Sequence, residues 1–156
     1  MTLGFSVQLA KPKHAFDISA MSRDYIEQGL SWGWTYDKVL NAINDTETNV
    51  AVVGEPGSLL AFGIMTYADN YAHLQLLAVR RAAQRKGIGS CVLIWLERVA
   101  RYADTERIIL EARESNSVAR SFYSAHGYQE QSIEVEMYGG VEAGVRFEKW
   151  LRVSDG

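Results

Sequence analysis

The chain has 156 residues, 47% hydrophobic and 22% charged, which is ordinary for one globular domain that buries its own core without staples. A net charge of −3 argues against nucleic acid or an anionic membrane surface as the main partner. The single cysteine, Cys91, excludes an internal disulfide and any multi-cysteine metal site; its apolar surroundings favour a small core residue over a reactive thiol.

No stretch of 18 apolar residues occurs. Met1-Thr2-Leu3-Gly4 lacks the basic and apolar segments of a secretory leader, so a reducing, cytoplasmic setting is expected. Without repeats, low-complexity tracts or linkers, residues 1–156 read as one domain. Residues 6–9 read as a first strand and residues 13–30 as a helix, with Phe16, Met21, Tyr25 and Ile26 as a rough apolar stripe. Ser31-Trp32-Gly33-Trp34 interrupts it. A second helix over 36–44 carries Val39, Leu40 and Ile43 on one side. Strands follow at 49–54, 59–67 and 72–79. They are separated by Glu55-Pro56-Gly57-Ser58 and Asp69-Asn70, which makes an antiparallel meander. A helix over 87–103 shows Val92, Trp95, Leu96, Val99 and Ala103 at helical spacing, with Glu97 and Arg101 as an i,i+4 pair. Then come a buried strand over 107–111, a helix over 117–125 stopped by Gly127, and a hairpin of strands at 128–138 and 144–153. The order β, α, α, β, β, β, α, β, α, β, β predicts a mixed α/β sheet with helices on its faces. His14 and His126 read as helix-surface and helix-end residues. The three scattered histidines form no metal motif.

The chemistry concentrates in one stretch. A strand ends at Leu76-Leu77-Ala78-Val79, the basic loop Arg80-Arg81-Ala82-Ala83-Gln84-Arg85-Lys86 follows, and Gly87-Ile88-Gly89-Ser90 opens a helix. First-turn N–H groups have no intrahelical partner and sit at the positive end of the helix dipole, so a phosphate is stabilised there. Glycine at 87 and 89 removes side chains that would hold a phosphate off. A dinucleotide fingerprint would need a third glycine where Val92 stands, and the Gly-Lys-Ser/Thr of a nucleotide-triphosphate loop is absent. A helix that merely begins with glycines beside a solvated basic loop is the plainer alternative.

From Val79 to Ser90 the chain resembles the acyl-CoA-binding motif of the GNAT superfamily of N-acetyltransferases: Gln or Arg, two residues, Gly, one residue, then Gly or Ala. Gln84, Gly87 and Gly89 fill it. Glu111-Ala112-Arg113, Asn116, Ala119, Phe122-Tyr123 and Gly127-Tyr128 resemble the next strand-helix unit of that superfamily. Glu111-Ala112-Arg113-Glu114-Ser115-Asn116 is close to the Glu-Val-Arg-x-x-Asn run of the ribosomal-protein alanine N-acetyltransferase branch. Met137-Tyr138 with Glu142-Ala143 approximates that branch's Tyr-Tyr and Glu-Asp-Ala segment. Met137 in place of the first tyrosine, the Gly139-Gly140 hairpin and Trp32-Gly33-Trp34 depart from it and leave the acceptor open.

The resemblance implies a GNAT-like, mostly antiparallel sheet of six to seven strands, with helices on both faces and a splay between strands 4 and 5. It implies acetyl-CoA as co-substrate, with no metal. The pantetheine arm would lie in the splay against the main chain of Leu77, Ala78 and Val79. Gln84, Arg85, Lys86, Gly87, Ile88, Gly89 and Ser90 would hold the pyrophosphate, with Asn116, Ala119 and Phe122 alongside. Tyr123 becomes the candidate acid for the thiolate, its alternative being packing beside Phe122. Glu111, at the end of the apolar strand, is the candidate base, and His73 on the adjacent strand is the other; a solvated strand-end carboxylate and an ordinary strand-edge histidine are their alternatives. Trp32, Trp34 and Tyr138 are candidate walls for an amine acceptor, either a peptide N-terminus or a small molecule; core packing is the alternative for each tryptophan. Direct attack in a ternary complex is the expected reaction. A catalytically silent acyl-CoA-binding module is the rival function, and a homodimer is compatible with either. Nucleic-acid binding through Arg80, Arg81, Arg85 and Lys86 is disfavoured by the missing second basic stripe.

Overall fold

The computed structural model describes residues 5–140 and 142–151. The Met1–Gly4 segment read for a leader, and the expected last strand residues 152–153, lie outside the described residues. The elements are β1 (Gln8–Leu9), α1 (Ala15–Met21), α2 (Tyr36–Asn44), β2 (Thr48–Val53), β3 (Ala61–Tyr67), β4 (Tyr71–Val79), α3 (Ile88–Tyr102), β5 (Arg107–Arg113), α4 (Ser117–Ala125), β6 (Gln129–Glu134) and β7 (Gly144–Trp150).

They form one seven-stranded sheet in the order β1-β2-β3-β4-β5-β7-β6. Every neighbouring pair is antiparallel except β4 and β5, which run parallel through the α3 crossover. The mixed α/β expectation holds, with helices on both faces. Two cores result. One packs Val92, Leu93, Leu96 and Ala100 of α3 and Tyr123 of α4 against Ile108, Leu110 and Phe147. The other packs Ala15, Ile18 and Met21 of α1 and Val39 of α2 against Val50, Val52, Phe62 and Ile64. Gly127, at φ +90°, stops α4 as anticipated.

Four details differ from the sequence reading. The first helix ends at Met21 and widens over Ser22–Ile26, where Glu27 N–H donates to Ser22 O at 2.7 Å, a five-residue step. β6 ends at Glu134, four residues short of Tyr138. His14 is not on a helix surface: it is 1% exposed, accepts from Lys11 N–H at Nδ1, and sets Nε2 3.1 Å from Gly54 O. Glu97 turns inward, to Tyr128 and Lys149, rather than along α3 to Arg101.

Candidate active site

The strand pairing makes a gap. β4 and β5 pair only over Tyr71–Leu74 and Arg107–Leu110. On the other side of β4, Ile64 pairs with Leu76 and Met65 with Leu74, so Gln75 is an extra, bulged residue. The bulge switches faces. Ala72 and Leu74 enter the α3-side core, whereas Leu76 and Ala78 enter the α1-side core. Beyond it the two strands part. Residues 76–79 pair with β3 alone and residues 111–113 with β7 alone, which leaves two facing rows of main-chain N–H and C=O groups.

At the wide end of β4 the chain turns into α3. Gln84 Nε2 donates to Val79 O at 3.1 Å and ties the loop to the strand end. Arg85 at φ 67° and Gly87 at φ 81° take left-handed conformations on either side of Lys86, a sequence that turns successive N–H groups toward a common point. The first helical bond is Cys91 N–H to Gly87 O at 3.1 Å; the amides of 85–90 find no acceptor among the described residues. A Cβ on Gly89 would stand 3.4 Å from Val79 Cγ2 and 3.6 Å from Phe122, so these two half-buried side chains back the turn. Ile88 contributes main chain only, since its side chain is buried. Ser90 Oγ lies 2.9 Å from His126 Nε2. The Asn116 side chain caps α4 by accepting from Ala119 N–H at 3.0 Å.

Two ionisable candidates meet at the narrow end. His73 Nε2 lies 2.7 Å from Glu111 Oε1, although the residues are 38 positions apart in the chain. Glu111 Oε2 is buried and has no hydrogen-bond partner among the described residues; Arg146 Nη1, directly across on β7, stands 3.7 Å away. Ile108, Leu110 and Ala112 enter the α3-side core, so Glu111 and Arg113 face the other way, toward the segment after α1. Tyr123 comes from the α3 side. It is buried, edge-on to Phe122 at 5.2 Å and Tyr128 at 5.8 Å, and its hydroxyl has no partner among the described residues. Burial pushes its phenol well above the usual range, and the neighbouring Tyr138 adds to the effect. Tyr138 is pushed up to about 12, first by burial and then by the charge of Glu111. Tyr138 therefore sits within electrostatic reach of both Glu111 and Tyr123.

A cavity of about 500 Å³ opens beside them, lined by Gly29, Leu30, Ser31, Tyr138 and Gly139. Of the three expected acceptor walls, Tyr138 lines it and the tryptophans do not. Trp32 is 40% exposed under Arg23, and the ring of Trp34 stacks under Lys38 Nζ at 4.2 Å. Two residues given no role in the sequence reading brace the segments that line it. Glu27 accepts from Gly33 N–H at 2.6 Å and from Ser22 Oγ at 2.8 Å, folding the segment after α1. Arg113 donates to Ile26 O at 2.9 Å, to Gln28 O at 2.6 Å and to Glu142 at 3.2 Å, so one guanidinium joins both sides of the cavity. Glu142 also accepts from Ser115 Oγ. Nothing local announced Glu27. Arg113 was legible only as part of the run after Glu111.

The family model described as Acetyltransferase (GNAT) family matches residues 18–128, from α1 through the end of α4. The chain belongs to the GNAT acetyltransferase family. The uncharacterised protein YdhI of Bacillus subtilis (strain 168) is 32% identical over 79 residues, 51% of this chain and 48% of YdhI, so the match spans about half of that relative's length. Among solved structures, Ard1 from Thermoplasma volcanium superposes with a TM-score of 0.82 at 18% identity, over 96% of this chain and 99% of Ard1. The ribosomal-protein-S18-alanine N-acetyltransferase from Escherichia coli gives 0.81 at 18% identity, over 96% of each chain. Arabidopsis thaliana NAA60, solved in complex with acetyl-CoA, gives 0.81 at 11% identity, over 94% of this chain and 98% of NAA60. At such identities these likenesses establish the fold. The matched span of this GNAT chain includes the glycine turn, the strand splay and the Glu111–His73 pair.

Proposed function

We propose that the protein transfers an acetyl group from acetyl-CoA to an amine by direct attack in a ternary complex. The observation that carries this reading is the coincidence of three open features along one groove. These are the unbonded amides of 85–90, the edge of β4 over residues 75–79 that β5 leaves unpaired, and Glu111 Oε2, which makes no hydrogen bond among the described residues. The amides, with Arg85 and Lys86 beside them, suit a pyrophosphate. The open edge of β4 suits an extended arm that hydrogen-bonds as an added strand would.

Acetyl-CoA, when bound, supplies the acetyl group as a thioester. Glu111 Oε2 takes a proton from the ammonium form of the acceptor, directly or through water. An unshifted α-amine has a pKa of about 8, so this help is modest at neutral pH and larger below it. The amine nitrogen then forms the N–C bond as the C–S bond breaks, and the electron pair leaves with sulfur. Tyr123, kept protonated by its raised pKa, gives the thiolate its proton. The second proton shed by nitrogen goes to water or restores Tyr123. The cavity beside Tyr138 receives the acceptor, either a peptide N-terminus or a small amine.

The deciding experiment is acetyl-CoA turnover against a panel of peptides and small amines, with products identified by mass. Acetylated amine is expected. Binding of acetyl-CoA without turnover of any acceptor would mark a silent acyl-CoA module. With an acceptor in hand, Glu111→Gln should slow turnover most at pH values below the amine's pKa, and the defect should shrink as pH rises and supplies free amine. Acceptor saturation is checked at each pH so that lost binding does not imitate this shape. A pH-independent defect would remove Glu111 as the base.

A further inference from the structure

A line of polar side chains stands behind Glu111 and crosses three strands. Gln75 Nε2 lies 3.1 Å from Thr66 Oγ1 and 3.1 Å from His73 Nδ1, and His73 Nε2 lies 2.7 Å from Glu111 Oε1. The bulge at Gln75 puts it there. Gln75 drops out of the β3 pairing, and its side chain turns back toward His73, which lies opposite Thr66.

The donors can be counted. An ionised carboxylate only accepts, so the short contact to Glu111 requires a proton on His73 Nε2. The Gln75 amide nitrogen carries two hydrogens. One goes to the Thr66 hydroxyl oxygen and the other points at His73 Nδ1, which must therefore accept. An imidazole that donates at Nε2 and accepts at Nδ1 is neutral. A second proton on it would face the amide N–H. We propose that Gln75 and Thr66 hold His73 as its neutral Nε2–H form, making His73 a positioning residue for Glu111 rather than a second base. The arrangement commits Oε1 to His73 and leaves Oε2, buried and beside Arg146, as the oxygen without a hydrogen bond, the one that would accept from the acceptor amine. This rests on the reading of Glu111 as the amine-side base. Other charges face the pair. Arg146 of β7 stands 3.7 Å from Oε2 and is itself held by Glu134 of β6 at 2.7 Å, and Tyr138 follows β6.

The test reads the imidazole directly. Long-range nitrogen–proton NMR of the uniformly labelled full chain across pH, with the His73 signals assigned by their loss in His73→Gln, is expected to show the Nε2–H form with Nδ1 bare. Gln75→Glu replaces the amide donor by an acceptor carboxylate. His73 should then hold a second proton to higher pH and clamp Glu111 in an ion pair. Turnover in that variant should fall roughly 10-fold at low pH, the scale on which partners orienting a reacting group act. It should recover at higher pH, with acceptor KM little changed. Gln75→Met, which removes the donor without adding charge, should yield a mixture of tautomers. His73→Gln should retain more activity than His73→Phe, because the amide can still donate to Glu111. An Nδ1–H form in the unmodified protein, or the same His73 titration in unmodified and Gln75→Glu protein, would overturn the proposal. The tautomer is read without substrate, so it stands or falls separately from acetyl transfer and from the Glu111→Gln profile.

Discussion

At the scale of single residues, two buried tyrosines on the same core face opposite demands. Tyr128 is buried with its hydroxyl 2.9 Å from Glu97 Oε2, a bond that satisfies it. Tyr123 is buried with its hydroxyl bonded to no described residue. Its hydroxyl keeps contact with solvent although the ring is buried, so it is open to a bound substrate and not committed to the fold. Removing it tests whether it serves the reaction. Tyr123→Phe should leave folding stability within about 0.5 kcal/mol, since no bond is lost and the ring packing remains. Acetyl-CoA affinity should be nearly unchanged, and turnover should fall ~10²-fold, the low end for general acid help, because a thiolate leaves fairly well unaided. Denaturant titration, calorimetry and steady-state rates separate the three. Full activity in the folded Phe variant would remove Tyr123 from the mechanism.

At the scale of elements, the turn into α3 joins strain to binding. Gly87 sits at φ 81°, where an L side chain costs roughly 1–2 kcal/mol. Gly87→Ala and Gly87→Glu share that penalty, so their thermal midpoints should fall together. Only the glutamate also brings negative charge to the open amides. It should cost at least roughly 10-fold more acetyl-CoA affinity than the alanine variant, or about 1.4 kcal/mol. Equal affinities by calorimetry would place the phosphates elsewhere. This turn was legible in sequence because its signals are local: two glycines, a basic loop and an apolar strand before them. The β2-β3-β4 meander was legible for the same reason, through Pro56-Gly57 and Asp69-Asn70. What escaped depends on distant partners. His14 looked like a surface residue because its acceptor, Gly54 O, is 40 positions away. Glu111 and His73 were read as rivals, and only the parallel β4-β5 pairing makes them neighbours. Gln75 did leave a trace, a polar residue inside Leu74-Gln75-Leu76-Leu77. That break in an apolar run marks the bulge and the start of the gap, but period alone does not separate it from an outward-facing strand position.

At the scale of the molecule, the groove stays open only if the sheet halves are held from behind, since β4 and β5 share so short a pairing. α3 spans that back face, packing against β2, β3 and β4. Its one buried charge, Glu97, is 3% exposed. Lys149 of β7 reaches Glu97 Oε2 at 3.0 Å and Tyr128 donates to the same oxygen at 2.9 Å, so a helix that packs on one half of the sheet is tied to a strand of the other. Burial, and then the charge of Glu97, push the Tyr128 phenol far above its usual range, so it remains a donor at any pH at which the protein folds. Taking away one partner of such a pair is worse than taking away both, because the survivor stays buried without compensation. Lys149→Met should therefore destabilise the protein by about 3 kcal/mol, the low end for a buried pair, because the Lys149 side chain is still 20% exposed. For a domain of this size that is a fall of about 6–12 °C in thermal midpoint. The double variant Glu97→Leu with Lys149→Met should recover most of the loss, leaving Tyr128 as the one polar group to be reconciled. Denaturant unfolding of the two single variants and the double variant closes the cycle. The expected outcome is a coupling energy that favours the double variant over the sum of the singles. Strict additivity would mean that Glu97 and Lys149 stabilise the fold independently, and that α3 and β7 are held together by apolar packing alone.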